Sequence, residues 1–146
     1  MKLHFDSCFP REKVIKISPY LPLVYGELNR LAKWRKGKWP TRVHCMSHSE
    51  VINGRSKGAG HGYVRPARPS DGIFMNAHMT PQGYLLVLIH ENCHVGWPDM
   101  TEDEINCKTL PHIWKKVTGK KLTPEYARRY GVGSPAPGVG DRSYCR

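Results

Sequence analysis

The residues of this chain with the clearest chemical potential are the run His90-Glu91-Asn92-Cys93-His94. Histidines four apart on a helix leave the same face about one turn apart, so one ring nitrogen from each can reach a single tetrahedral ion. Glu91 stands beside the first of them, where its carboxylate can take a proton from water at that ion and act as general base. A bare HExxH string also arises as two surface histidines and a solvated glutamate. The context here argues for the metal, because the ionisable residues directly follow the apolar run Tyr84-Leu85-Leu86-Val87-Leu88-Ile89. Polar groups at the end of a buried helix need a partner or a task. The predicted cofactor is therefore Zn2+, held by His90 and His94.

Zinc needs a third protein ligand, and Asp99, Glu102, Glu104 and His112 follow the motif. If the next helix packs through Ile105, Thr109, Leu110 and Ile113, a wheel at about 100° per residue puts Glu102 in the buried arc and Glu104 nearly opposite. Glu102 ranks first. Asp99 is its rival, since the turn at Gly96-Trp97-Pro98 could return its carboxylate beneath His94. Glu104 already has a local role three residues after Thr101, as the far end of a capping box.

The elements that must position these residues can be read from the same chain. Thr80-Pro81 is a helix start, with Thr80 as N-cap and Pro81 at the first helical position, and Gly96 and Pro98 end the helix that carries the motif. Thr101 opens the next helix, which Pro111 kinks or restarts before Gly119. Upstream, Leu21, Val24, Leu28, Leu31 and Ala32 recur at helical spacing. Residues 42–48 alternate like a strand, residues 53–69 read as a long loop or hairpin, and Ile73-Phe74-Met75 reads as a strand after the turn signal Ser70-Asp71-Gly72. A last short helix is expected over residues 120–129. The predicted architecture is α+β: a single domain over residues 1–130 with a short sheet, an active-site helix and a following C-terminal helix, then a Gly/Pro-rich tail over residues 131–146.

At 146 residues the chain suits one domain. Twenty-three Lys and Arg against 12 Asp and Glu give a formal charge of +11, a field that attracts polyanions. Nucleic acid is thus a candidate partner, most specifically at Trp34-Arg35-Lys36-Gly37-Lys38-Trp39, where cations alternate with rings able to stack on bases. A helix end with basic residues against its dipole and tryptophans covering a core explains the same run. No apolar run approaches a membrane span, and the first residues lack a secretory core, so a cytoplasmic protein without membrane attachment is expected. Five irregularly spaced cysteines suit free thiols better than disulfides. Cys93 and Cys107 read as small buried residues. His44, Cys45 and His48 lack the spacing of a second zinc site. Tyr63, His61 and Tyr130 are candidate oxyanion stabilisers, and the oligomeric state is left open.

Residues 90–105, HENCHVGWPDMTEDEI, resemble small zincin-type metallopeptidases of phage and bacterial genomes, in which HExxH is followed by Pro-Asp, a Ser or Thr N-cap and an acidic helix start. The resemblance extends over residues 70–118. It implies a minimal zincin-like domain that hydrolyses peptide bonds, with Glu91 catalytic and a peptide or protein substrate lying as an added strand along Ile73, Phe74 and Met75. A looser resemblance to SprT-like proteases departs at Met100, where that pattern requires a third histidine. The alternative function is a basic zinc-containing protein without proteolytic activity that presents Arg35, Lys36, Lys38, Arg55, Lys57, Arg65 and Arg68 to nucleic acid.

Overall fold

The computed structural model describes residues 2–56 and 61–123. They form a small α+β fold around a four-stranded sheet: β1 (His4–Phe5), β2 (Arg42–Cys45), β3 (Gly62–Val64) and β4 (Ile73–Met75) lie in the order β1-β2-β4-β3. β1, β2 and β4 are parallel neighbours, and β3 runs antiparallel to β4 at the end of the sheet. Residue alternation sets the two faces of this sheet. Val43, Ile73 and Met75 turn inward and are fully buried. On the opposite face Phe74 stacks on Tyr63 at 4.6 Å and meets the His44 ring at 5.1 Å.

The core is organised around α4 (Pro81–Gly96), which starts where Thr80 caps the Gly83 N–H and Pro81 needs no partner for its nitrogen. This helix is apolar around its whole circumference from Tyr84 to Ile89 because it is covered on several sides. α1 (Arg11–Ile17), α2 (Leu21–Leu31), α6 (Leu110–Thr118) and the strands β3 and β4 pack against it. Val24 and Leu28 of α2 and Ile113 and Trp114 of α6 join the same core. At Gly62 the approach of β3 to α4 leaves no room for a side chain, since a Cβ would sit 2.5 Å from Val87 and 2.8 Å from the Phe74 carbonyl.

After α4 the chain turns and re-enters helix at α5 (Glu102–Glu104), continues through a π-helical segment (Ile105–Thr109) and runs into α6. Thr101 and Glu104 make the reciprocal capping box. Pro111 has no N–H to offer the preceding turn and lies in the first turn of α6 as the π segment ends. Gly119, at φ 74°, terminates α6.

Three expectations are revised. α3 (His48–Ser56) is a helix where the expected strand ends, at residue 48, and the expected loop begins, at residue 53, because it has no apolar stripe for periodicity to detect, and α1 forms where no element was expected. Cysteine pairing is the second: Cys8 and Cys45 form a disulfide with Cα atoms 6.5 Å apart, and Cys107 is also disulfide-bonded. Parallel pairing of β1 with β2 brings Cys8 and Cys45 together across 37 residues, a proximity that sequence spacing does not reveal. Among the described residues Cys93 is the free thiol, buried as expected. The third concerns residues 120–129: residues 120–123 are not helical, and residues 124–129 lie outside the described residues, as do Tyr130 and the 131–146 tail. Among the described residues no helix is long and apolar enough to cross a membrane.

Candidate metal centre

α4 presents His90 and His94 one turn apart, and α5 delivers Glu102 against both. Glu102 lies 3.2 Å from His90 Nε2 through Oε2 and 2.7 Å from His94 Nε2 through Oε1. The two Nε2 atoms are 3.2 Å apart. A tetrahedral ion with bonds of about 2.0–2.1 Å has donors separated by roughly 3.3 Å, so this spacing matches a metal site. The three groups offer ligand atoms within 4.8 Å of one another, and among the described residues no fourth His, Cys, Asp or Glu joins them.

The π-helical segment adds a residue that sequence reasoning missed. Asn106 is buried, and its Oδ1 is 2.9 Å from His90 Nδ1. An amide oxygen only accepts, so His90 donates the proton on Nδ1 to Asn106, and Nε2 is the atom turned toward Glu102 and His94. This is the outer contact that orients metal-binding histidines elsewhere. One signal pointed to it: Asn106 is four residues after Glu102 and shares its helix face.

Glu91 is buried at 7% exposure, between the two histidines in sequence but turned toward β3. Burial pushes its carboxyl pKa up, against the pull of the His90 and His94 charges and a hydrogen bond from the Val64 backbone N–H. That N–H is available because the Asn76 N–H donates to the His61 carbonyl. In an antiparallel pair this makes Tyr63 the residue bonded to β4 and leaves the backbone groups of Gly62 and Val64 facing outward. Glu102 is held far below the usual carboxylate range, first by its hydrogen bonds with His90 and His94. For His94, burial alone favours the neutral ring, but the hydrogen bond to Glu102 and the charges of Glu91 and Glu102 outweigh it and raise the pKa.

The other candidates are placed elsewhere. Asp99 is exposed and outside the cluster, Glu104 is engaged with Thr101, and His112 pairs with Glu27 at 3.0 Å. His44 pairs with Asp6, and Cys45 is in the disulfide, which removes both from a second metal site. The Tyr63 hydroxyl donates to Glu50 at 2.5 Å, and burial followed by this contact pushes its pKa up to about 12. The expected added strand along Ile73, Phe74 and Met75 is corrected by the sheet order: β4 pairs with β2 on one side and β3 on the other, so both edges are taken. The run at residues 34–39 splits in two. Trp39 is buried, with its N–H donated to Asn29 Oδ1 at 2.7 Å, whereas Trp34 remains 58% exposed.

Comparison of the chain with protein-family models, with curated proteins and with solved structures finds no match.

Proposed function

We propose that this chain is a zinc-dependent metallopeptidase built on a minimal zincin-like domain. The convergence of His90, His94 and Glu102, with the buried carboxylate of Glu91 beside them, carries the reading. The donor set, two imidazole nitrogens and one carboxylate oxygen, suits zinc. Three protein ligands with Glu102 59% exposed leave a side for water and substrate, the pattern of a catalytic rather than a structural zinc.

When bound, zinc lowers the pKa of water toward ~7 and polarises the scissile carbonyl. Glu91 accepts the proton of the attacking water on its carboxylate as the C–O bond forms, then passes it to the amide nitrogen as the C–N bond breaks. Burial makes Glu91 a stronger base than an exposed glutamate, which suits it to both transfers. The Val64 N–H orients that carboxylate, and Asn106 keeps His90 Nε2 aimed at the site. β3 is the end strand beside Glu91, so a peptide would pair with its outward edge, in place of the β4 edge that the resemblance implied.

The test combines metal content with turnover. Purified protein should hold about one zinc, lose it when His90 and His94 are both changed to Ala, and keep it in Glu91→Gln. Hydrolysis of a permissive unfolded protein should fall by on the order of 10² or more in Glu91→Gln. Absence of zinc uptake, or equal cleavage by Glu91→Gln and wild type, would sink the proposal.

A further inference from the structure

Trp34 is more than half exposed, yet its orientation is fixed. Its indole N–H donates to the Gly96 carbonyl at 2.9 Å, and its ring meets Trp97 edge-on at 6.1 Å. The segment that carries it is pinned at both ends, by buried Ala32 on one side and by Trp39, packed against Gly96 and bonded to Asn29, on the other. Immobilising a tryptophan with its N–H turned inward presents an apolar ring to solvent, and nothing within the described residues covers it.

Charge says what kind of partner fits. Lys33, Arg35, Lys36 and Lys38 surround Trp34 in the chain, and none of them takes part in an ion pair among the described residues. Glu27 is already engaged by Arg30 and His112, and Asp71 by Arg65 and Arg68. A fixed ring among four unpaired cations fits a polyanion that also carries stackable rings. An acidic peptide would satisfy the cations but leave the indole unused. Base faces in a duplex are already stacked on each other, so the strand must be single.

We propose that Trp34, with Lys33, Arg35, Lys36 and Lys38, forms a binding site for single-stranded nucleic acid, one base stacking on the indole and the cations neutralising adjacent phosphates. The site lies at the end of α4, two residues beyond His94, and does not depend on whether the metal centre is catalytic.

The experiment measures fluorescence anisotropy of a labelled oligothymidylate of about 20 nucleotides with the full chain at ~50 mM salt. Trp34→Ala should weaken binding roughly 5- to 100-fold, the range for losing one stacked base. Trp34→Phe keeps a ring but loses the N–H, and should stay within about threefold of wild type. Its thermal melting, set beside that of Trp34→Ala, separates loss of stacking from loss of the Gly96 contact. Changing the four cations together to Gln should reduce the slope of log K against log salt by about 3, at ~0.7 per phosphate contact. Wild-type affinity in a folded Trp34→Ala protein would overturn the proposal. So would oligoglutamate of matched charge binding as tightly as the oligonucleotide, with the same dependence on Trp34, which would assign the surface to acidic peptides.

Discussion

His90 on α4 is oriented by Asn106 on the following helix, Nδ1 to Oδ1 at 2.9 Å across 16 residues of chain. The contact is buried, and it holds His90 Nδ1 as a donor so that Nε2 faces Glu102 and His94. The orientation of His90 in the candidate metal centre therefore depends on a side chain that the HExxH pattern does not contain.

Asn106→Leu should weaken zinc about 10- to 100-fold, as outer-contact changes do, and leave the His90 N–H buried without an acceptor. Asn106→Asp, which keeps the acceptor, should hold zinc at least as well as wild type. Competition with a chromogenic chelator reads both. Equal affinity in Asn106→Leu would mean that the ring is oriented without this contact.

Glu102→Gln replaces a ligand carboxylate with a weak donor and should lower zinc affinity, with activity falling in step and partly recovering in excess zinc. Asp99→Asn, at an exposed position away from the cluster, should change neither. If Asp99→Asn lost zinc while Glu102→Gln kept it, the ligand assignment would be reversed.

The clamp between α2 and α6 supplies a pH dependence remote from the metal. Glu27 accepts hydrogen bonds from Arg30 and His112, and its pKa is lowered, chiefly by Arg30, with burial opposing and His112 adding. A depressed carboxyl stabilises the fold above its unfolded value of about 4.3, and that contribution disappears as pH falls through the lower folded value. Glu27→Gln should therefore melt below wild type at neutral pH, and the two melting curves should converge as pH falls below about 4. A gap that persists unchanged at the acid end would show that packing, not charge, accounts for the loss.

The Cys8–Cys45 disulfide closes a 37-residue separation that contains α1 and α2. Cys8→Ser with Cys45→Ser should cost about 2–4 kcal/mol of stability in denaturant unfolding. Non-reducing peptide mapping of the purified protein should recover Cys8 and Cys45 in one linked pair. Both thiols alkylating freely without reductant would contradict the bond.

Much of the helix that carries the candidate metal ligands was legible because its signals are local. Thr80-Pro81 marks the start of α4, the unbroken apolar run marks its burial, and the Thr101/Glu104 box marks the next helix start. Glu102 could be ranked above Glu104 by helical period alone, since both lie on one short segment whose apolar arc is visible. α3 offered no such arc, and its last four residues fall in the expected loop.

What the sequence by itself determined was everything governed by neighbours a turn apart: the i, i+4 histidines, the caps, and the side of the helix on which Glu102 falls. The tertiary structure decided what depends on distant segments meeting. It set Asn106 against His90, turned the Val64 N–H to Glu91, enclosed β4 between β2 and β3, joined Cys8 to Cys45, and buried Trp39 while leaving Trp34 out. Strand order and helix docking arise from packing one shared core, and that packing balances contacts between residues far apart in the chain, which no local pattern encodes.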